Sequence, residues 1–260
     1  MSNPSPIPSS KRTRALVVFG GTGFVGTAVL AQALSRDKAL HVFVVSRTGA
    51  APSWLRTNPV YQTERLHFLK GDLLAPQTVR DGLREVLAQY HIQACISCVG
   101  AITPWSNENM VRTCGDANVN AYGISKDVKA DKFVVITRDR SNMNDWWYPF
   151  PRLIPGYYQG KRKIESCIEN DAENRGSAIC LRAGFVSGTR RTIPGLPTSF
   201  KVSVPMEPVY KIVGRVCPVI DVNVLAAAAV RFALSPQKAD SALVSNDEIP
   251  DYFKQAVPAD

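Results

Sequence analysis

Ala15-Leu16-Val17-Val18-Phe19 runs straight into Gly20-Gly21-Thr22-Gly23-Phe24-Val25-Gly26, and Thr27 to Leu34 then carries the spacing of a helix. A short apolar run closed by a glycine cluster and followed by helical periodicity reads as strand, tight turn, helix. Gly21, Gly23 and Gly26 fit the G-x-G-x-x-G pattern, while Gly20, Gly23 and Gly26 recur with two residues between them. Glycine at such spacings permits the turn, lets the backbone approach a pyrophosphate, and allows the helix to pack closely on the strand. The helix start supplies unpaired N–H groups and the positive end of its dipole. The segment predicts a dinucleotide cradle made by Gly20, Thr22, Gly23, Phe24, Val25 and Gly26. A glycine turn kept for packing alone is the competing reading, and the rest of the chain bears on it.

Outward from this turn, β-branched runs alternate with helical patterns. Strands are expected at Ala15–Phe19, His41–Val45, Leu66–Leu69, Ala94–Val99, Lys132–Thr137 and Ala178–Leu181, and helices at Gly26–Ser35, Pro76–Tyr90, Glu108–Lys129, Gly156–Asn170 and Val222–Ala233. Alternation of this kind predicts an α/β protein, a doubly wound parallel Rossmann sheet with a short C-terminal extension. Ligands of such sheets bind at the carboxyl ends of the strands. Residues 1–13 are expected to be a flexible arm, because Met1 to Ser10 is rich in Ser and Pro, and residues 14–260 a single Rossmann domain.

The end of the second strand should meet the adenosine ribose. An acidic residue there accepts from a 2′-hydroxyl, whereas a basic one accommodates a 2′-phosphate. The chain has Ser46-Arg47 and no carboxylate at that point. A forked, charge-assisted contact from Arg47 to phosphate predicts NADP(H) over NAD(H), with a surface arginine at the strand end as the alternative. Asp72 and Leu73 after the third strand, and Gly100 and Ala101 after the fourth, follow in the order that lines the same groove, although Gly-Asp is also an ordinary turn.

The net charge is +9 and the sequence pI about 9.4. Its densest runs, Lys11-Arg12-Thr13-Arg14, Lys161-Arg162-Lys163 and Arg190-Arg191, are short and fit no nucleic-acid motif, so a solvated basic face is the expected reading and no nucleic-acid partner is expected. No apolar stretch approaches the length of a membrane span, and no apolar region near the N-terminus marks a secretory signal, which predicts a soluble intracellular protein. The first acidic residue is Asp37; the acid-free start is compatible with organelle import, although its prolines disfavour an amphipathic transit helix. Six cysteines are read as reduced thiols. Cys95 and Cys98 form a CxxC inside a strand, where positions three apart face opposite ways, and His41, His67 and His91 lack ligand spacing, so no metal site is expected.

Taken together, Val18 to Gly26, Gly71-Asp72-Leu73, Asn118-Val119-Asn120, Phe133 to Ile136, Tyr157 with Lys161, and Leu181 to Gly188 resemble the extended and atypical short-chain dehydrogenase/reductase superfamily, in its epimerase-like branch, over about residues 14 to 245. Within that branch the chain resembles the mitochondrial proteins related to the nucleotide-binding accessory subunit of respiratory complex I. It is similarly close to a fungal protein associated with coenzyme Q biosynthesis. Gly160-Lys161-Arg162-Lys163-Ile164-Glu165 carries much of this narrower resemblance.

In active members a tyrosine and a lysine four residues on share a helical face, so that the ammonium lowers the phenol's pKa and holds the nicotinamide ribose while the tyrosine transfers a proton. Tyr157 and Lys161 match. The family's serine or threonine beyond the fifth strand has no secure counterpart; Thr137 and Ser141 are the candidates, and Arg138 stands where a serine is usual. Trp146, Trp147, Tyr148 and Phe150, ahead of Tyr157 and Tyr158, are expected to roof a pocket, present anchors to a partner, or fold onto the core, and the Pro-rich stretch Pro194 to Pro218 to close the same side.

The resemblance implies one of two functions. One is an accessory subunit of a mitochondrial respiratory assembly that retains NADP(H) structurally, on the matrix side, with protein partners and room for peripheral membrane proximity; plastid and cytoplasm stand as other locations. The other is an NADPH-dependent oxidoreductase of a small carbonyl or quinone-like substrate using Tyr157 and Lys161. The departure at Thr137-Arg138 and the short stretch after the sixth strand favour the first, and a regulatory NADPH sensor is a third reading.

Overall fold

The computed structural model describes residues 13–103, 105–139, 150–190, 204–205 and 218–254. Its chain order begins β1 (Thr13–Phe19), α1 (Phe24–Arg36), β2 (His41–Ser46), α2 (Ser53–Arg56), β3 (Leu66–Lys70), α3 (Pro76–Gln89) and β4 (Tyr90–Ser97). There follow α4 (Asn107–Val111), a π turn over Arg112–Asp116, α5 (Ala117–Asp127), β5 (Lys132–Arg138), α6 (Phe150–Leu153), α7 (Pro155–Glu169), β6 (Ala178–Ala183) and β7 (Phe185–Ser187). The short strands β8 (Thr189–Arg190), β9 (Val204–Pro205) and β10 (Val219–Asp221) lead to α8 (Val222–Leu234), β11 (Leu243–Val244) and α9 (Ile249–Lys254).

Seven strands form one sheet in the order β11-β6-β5-β4-β1-β2-β3, with every pairing parallel. The order reverses between β1 and β4. That is the switch point of a doubly wound sheet, where the chain leaves a crevice at the carboxyl ends of the strands. Alternate residues of the central strands feed two cores. Leu16, Val18, Val42 and Val44 pack with Val29, Leu30 and the alanine-rich face of α8; Val17, Phe19, Cys95, Phe133 and Val135 pack with α3, α5 and α7. Parallel strands covered on both faces bury both side-chain sets, which is why these runs are apolar without alternation.

The expected strands and helices are all present, with shifted limits. α1 starts at Phe24, ahead of the expected Gly26, and β4 starts at Tyr90, the last residue of the expected helix. The single helix expected over Glu108–Lys129 is interrupted by the π turn, where Gly115 lies against α7. Thr13 is the first residue of β1. The rest of the expected arm, the cluster Trp146-Trp147-Tyr148, Ser141 and almost all of Pro194 to Pro218 lie outside the described residues.

Candidate functional site

The glycine turn holds the shape its sequence requires. Gly20 has φ +72°, a conformation open to glycine, and a Cβ there would meet Val99 and the Cys98 carbonyl carbon at 3.1 and 3.2 Å. Gly26, in the first turn of α1, rests on the Gly20 carbonyl and lies so near Gly21 that a Cβ would come within 2.6 Å of the Gly21 Cα. Helix and turn are thereby pressed together at the switch point. Gly23 is the N-cap of α1 and offers no side-chain cap, and the first turn of the helix carries no acidic residue. A helix start of this kind suits an anion. Thr22 and Val25 sit half-buried on this turn, and the Phe24 ring crosses to Gly188, where a Cβ would lie 3.2 Å from it.

At the end of β2, Ser46 turns the chain by accepting at its hydroxyl from the Gly49 N–H (3.2 Å), and its carbonyl accepts from the Gly71 N–H (3.0 Å). Arg47 is exposed on this turn and makes no ion pair among the described residues. After β3, Asp72 accepts at Oδ1 from the Leu74 N–H (2.9 Å), and the Leu73 carbonyl accepts from Asn120 Nδ2 (2.7 Å). One carboxylate oxygen of Asp72 therefore shapes the loop.

Below the loop after β4 lies a buried polar network. Ser97 Oγ donates to Asn118 Oδ1 (2.6 Å), and Asn118 Nδ2 donates to the Val99 and Cys114 carbonyls (3.2 and 2.8 Å). Lys161, 5% exposed, donates from Nζ to the same Val99 carbonyl (2.9 Å) and to the Ile136 carbonyl (2.7 Å). A Cβ on Gly100 would lie 3.3 Å from that ammonium, and Cys114 Sγ donates to the Ala101 carbonyl (3.3 Å). Lys161 therefore reaches the carboxyl ends of β4 and β5, beneath Gly100 and Ala101. Burial pushes its pKa down from the ordinary lysine value, opposed by the nearby Cys114, Cys98 and Cys180.

The helix that carries Lys161 is brought in by glycines. A Cβ on Gly160 would meet the Gly115 nitrogen at 2.9 Å, and one on Gly156 would come within 2.8 Å of the Asn107 Cα. Tyr157 is half-buried on α7, with its ring edge-on to Tyr158 at 5.7 Å. Thr137 is buried at the end of β5, and its Oγ1 has no hydrogen-bond partner among the described residues. Strand alternation from Phe133 and Val135 places Thr137 on the sheet face covered by α7, the face of Lys161. On the loop after β4 and on α6, two large apolar side chains are exposed: Trp105 at 73% and Leu153 at 63%.

Two arrangements escaped the sequence reading. Glu165, fully buried one turn beyond Lys161, is forked by Arg182 Nε and Nη2 at 3.2 and 3.0 Å. The i+4 spacing from Lys161 was a visible signal; the partner on β6 was not, because register joins residues distant in sequence. His41 and His67 meet on adjacent strands, Nδ1 to Nε2 at 3.0 Å, and burial lowers both pKa values. Cys95 and Cys98 fall into opposite cores as expected; burial raises the Cys98 thiol to about 12. No group of three or more metal-ligating residues occurs among the described residues.

Residues 16–135 match the model of the NAD dependent epimerase/dehydratase family. A chloroplastic Arabidopsis thaliana protein described as uncharacterized is 31% identical over 213 residues, covering 80% of this chain. The chain spans 63% of that relative's length. Among solved structures, a short-chain dehydrogenase/reductase from Saccharomyces cerevisiae superposes with TM-score 0.66 at 16% identity, over 92% of this chain and 99% of that one. UDP-glucose 4-epimerase from Bifidobacterium longum, in complex with NAD+ and UDP, gives TM-score 0.64 at 16% identity, over 89% and 77%. The fold is thus the Rossmann-like α/β fold of these enzymes. The family match supports the resemblance to the extended short-chain dehydrogenase/reductase superfamily.

Proposed function

We propose that the chain holds a nicotinamide dinucleotide, NADP(H) in preference to NAD(H), as an accessory nucleotide-binding protein of an organelle assembly. The uncapped, carboxylate-free start of α1 against Gly20 and Gly21, at the switch point, carries the binding reading. The residues present fit the group: backbone N–H groups for the pyrophosphate, Ser46 and Arg47 for the adenosine ribose and a 2′-phosphate, and Asp72, Leu73, Gly100 and Ala101 along the groove. NAD+ in the B. longum epimerase supports the ligand class.

The accessory role is favoured by Lys161. Two of its three N–H donors are committed to main-chain carbonyls, so it fastens β4 to β5 as much as it could hold a ribose. A bound nucleotide would then stabilise the fold by mass action. Gly160 to Glu165 carries much of the complex I resemblance, and the chloroplastic Arabidopsis relative supports a plastid, so the organelle is a mitochondrion or a plastid.

The unpartnered Thr137 hydroxyl favours a second reading, an NADPH-dependent oxidoreductase. The nucleotide supplies a hydride to a carbonyl carbon when bound. Tyr157 would give the carbonyl oxygen its proton, Thr137 would donate a hydrogen bond to that oxygen, and Lys161 would hold the tyrosine's charge. Native purification from the source at low salt separates the readings. A large assembly with NADPH that candidate carbonyls and quinones leave unoxidised supports the accessory role; a free monomer or dimer that consumes NADPH with one of them overturns it.

A further inference from the structure

At the opposite end of the sheet from the crevice, the amino ends of β4, β5 and β6 and the end of α8 enclose a 360 Å³ cleft lined by Gln93, Asp131, Lys132, Ser177, Ser235 and Lys238, among others. From this geometry we infer that the cleft is a second binding site, for a small oxyanion such as a phosphate ester or a carboxylate. The inference is independent of the nucleotide reading. β5 is seven residues long, so the two sites stand about 20 Å apart at the usual strand rise.

Donors in the cleft outnumber the acceptors they have. Lys132, 6% exposed, opens β5 and donates from Nζ to the Gln237 carbonyl (2.6 Å), with the Phe232 ring 4.9 Å away. No carboxylate lies within ion-pair distance of it among the described residues, which leaves two of its three N–H donors for a ligand. The Ser177 hydroxyl makes no hydrogen bond among the described residues, and Lys238 is exposed on the cleft wall without an ion pair there. Asp131 is the one acid of the lining, and it already meets His91 Nε2 at 2.7 Å.

Two charges oppose this reading, and neither cancels it. The carboxyl end of α8 presents a partial negative charge of about half a unit, which answers part of Lys132. Asp131 adds a further negative charge, but its closer partner is His91. Against them stand the Lys132 and Lys238 ammonium groups; burial first, and Lys238 after it, make Lys132 lose its proton more readily, an effect that Asp131 opposes. Like charges gathered around a cleft, with hydroxyl donors between them, are relieved by an anion. Position is fixed by the fold: Lys132 pairs in register with Ala94, the Phe133 N–H donates to the Ser177 carbonyl (2.9 Å), and the Ala239 N–H donates to the Gly176 carbonyl (2.9 Å), which brings Lys238 over.

Backbone-amide NMR of the full chain tests this, with titrations of inorganic phosphate, glycerol 3-phosphate and acetate in parallel. Saturable shifts at Gln93, Lys132, Ser177 and Lys238, absent from Gly20 to Gly26, are expected, with phosphate against acetate deciding between the two anion sources. Lys238→Ala and Ser177→Ala, both at the cleft rim, should each weaken binding, by up to about tenfold. Shifts that grow linearly without saturating, shifts centred on the glycine turn, or affinity unchanged in both variants would overturn the assignment.

Discussion

Gly160 of α7 and Gly115 of the π turn lie against each other so closely that a Cβ on either would meet the other's backbone, at 2.9 Å from the Gly115 nitrogen in one direction and 3.0 Å from the Gly160 Cα in the other. This contact sets the depth of α7, and Lys161 is the next residue. Gly160→Ala must therefore push the helix outward and pull Lys161 from the Val99 and Ile136 carbonyls. A loss of about 1–3 kcal/mol in urea unfolding is expected. Gly123, in α5 with nothing within 4 Å of a built Cβ, is the control. Gly123→Ala should be neutral or stabilising by up to about 1 kcal/mol.

Lys161 gives a pH dependence whose sign is fixed. Burial holds its folded pKa below the ordinary lysine value of 10.5. Between the folded and unfolded values the unfolded chain binds the extra proton, so the lysine's contribution to stability rises with pH through that window. Urea unfolding of wild type and Lys161→Met should show wild type gaining on the variant as pH approaches 10.5. A constant difference would mean that the ammonium is as well solvated folded as unfolded.

Asp171 gives a slope of the same sign in the acid range. The Lys126 hydrogen bond, aided by Asn174 and Tyr122, lowers its pKa from 3.8 to about 2. The stability this confers is present above 3.8 and is lost as pH falls toward 2. Asp171→Asn should flatten the acid limb of the stability profile over that interval.

The Glu165–Arg182 pair predicts non-additivity. Removing one partner by Arg182→Leu leaves a fully buried carboxylate without its forked donor, and a cost of about 3 kcal/mol is expected. Glu165→Leu with Arg182→Leu should recover much of it. A double-mutant cycle with no coupling energy would show that the pair is incidental.

The sequence carried the sheet's strand sequence and the whole glycine turn, because both depend on local signals: apolar runs, glycine spacing and helix periodicity. Lys161 was legible for the same reason, standing at helical spacing from Tyr157. What stayed hidden is decided by contacts between distant segments. The π turn at Arg112–Asp116 accompanies the approach of Gly160 to Gly115, and nothing in the local periodicity of that stretch announces it. The roles of Asn118 and Asn120, fastening the loops after β4 and β3, likewise appear when Val99 and Leu73 are brought beside them. Strands as short as β7 and β10 pair through parallel register across a long connection, which leaves little trace in either segment alone.

Titration of the purified chain with NADPH and NADH, for wild type and Arg47→Asp, tests the central claim most directly. Saturable NADPH binding, tighter than that of NADH and weakened about tenfold or more by the substitution while NADH binding is no weaker, is the expected result. Absence of binding by either nucleotide would contradict the claim, and NADPH affinity equal in parent and variant would contradict the place assigned to Arg47.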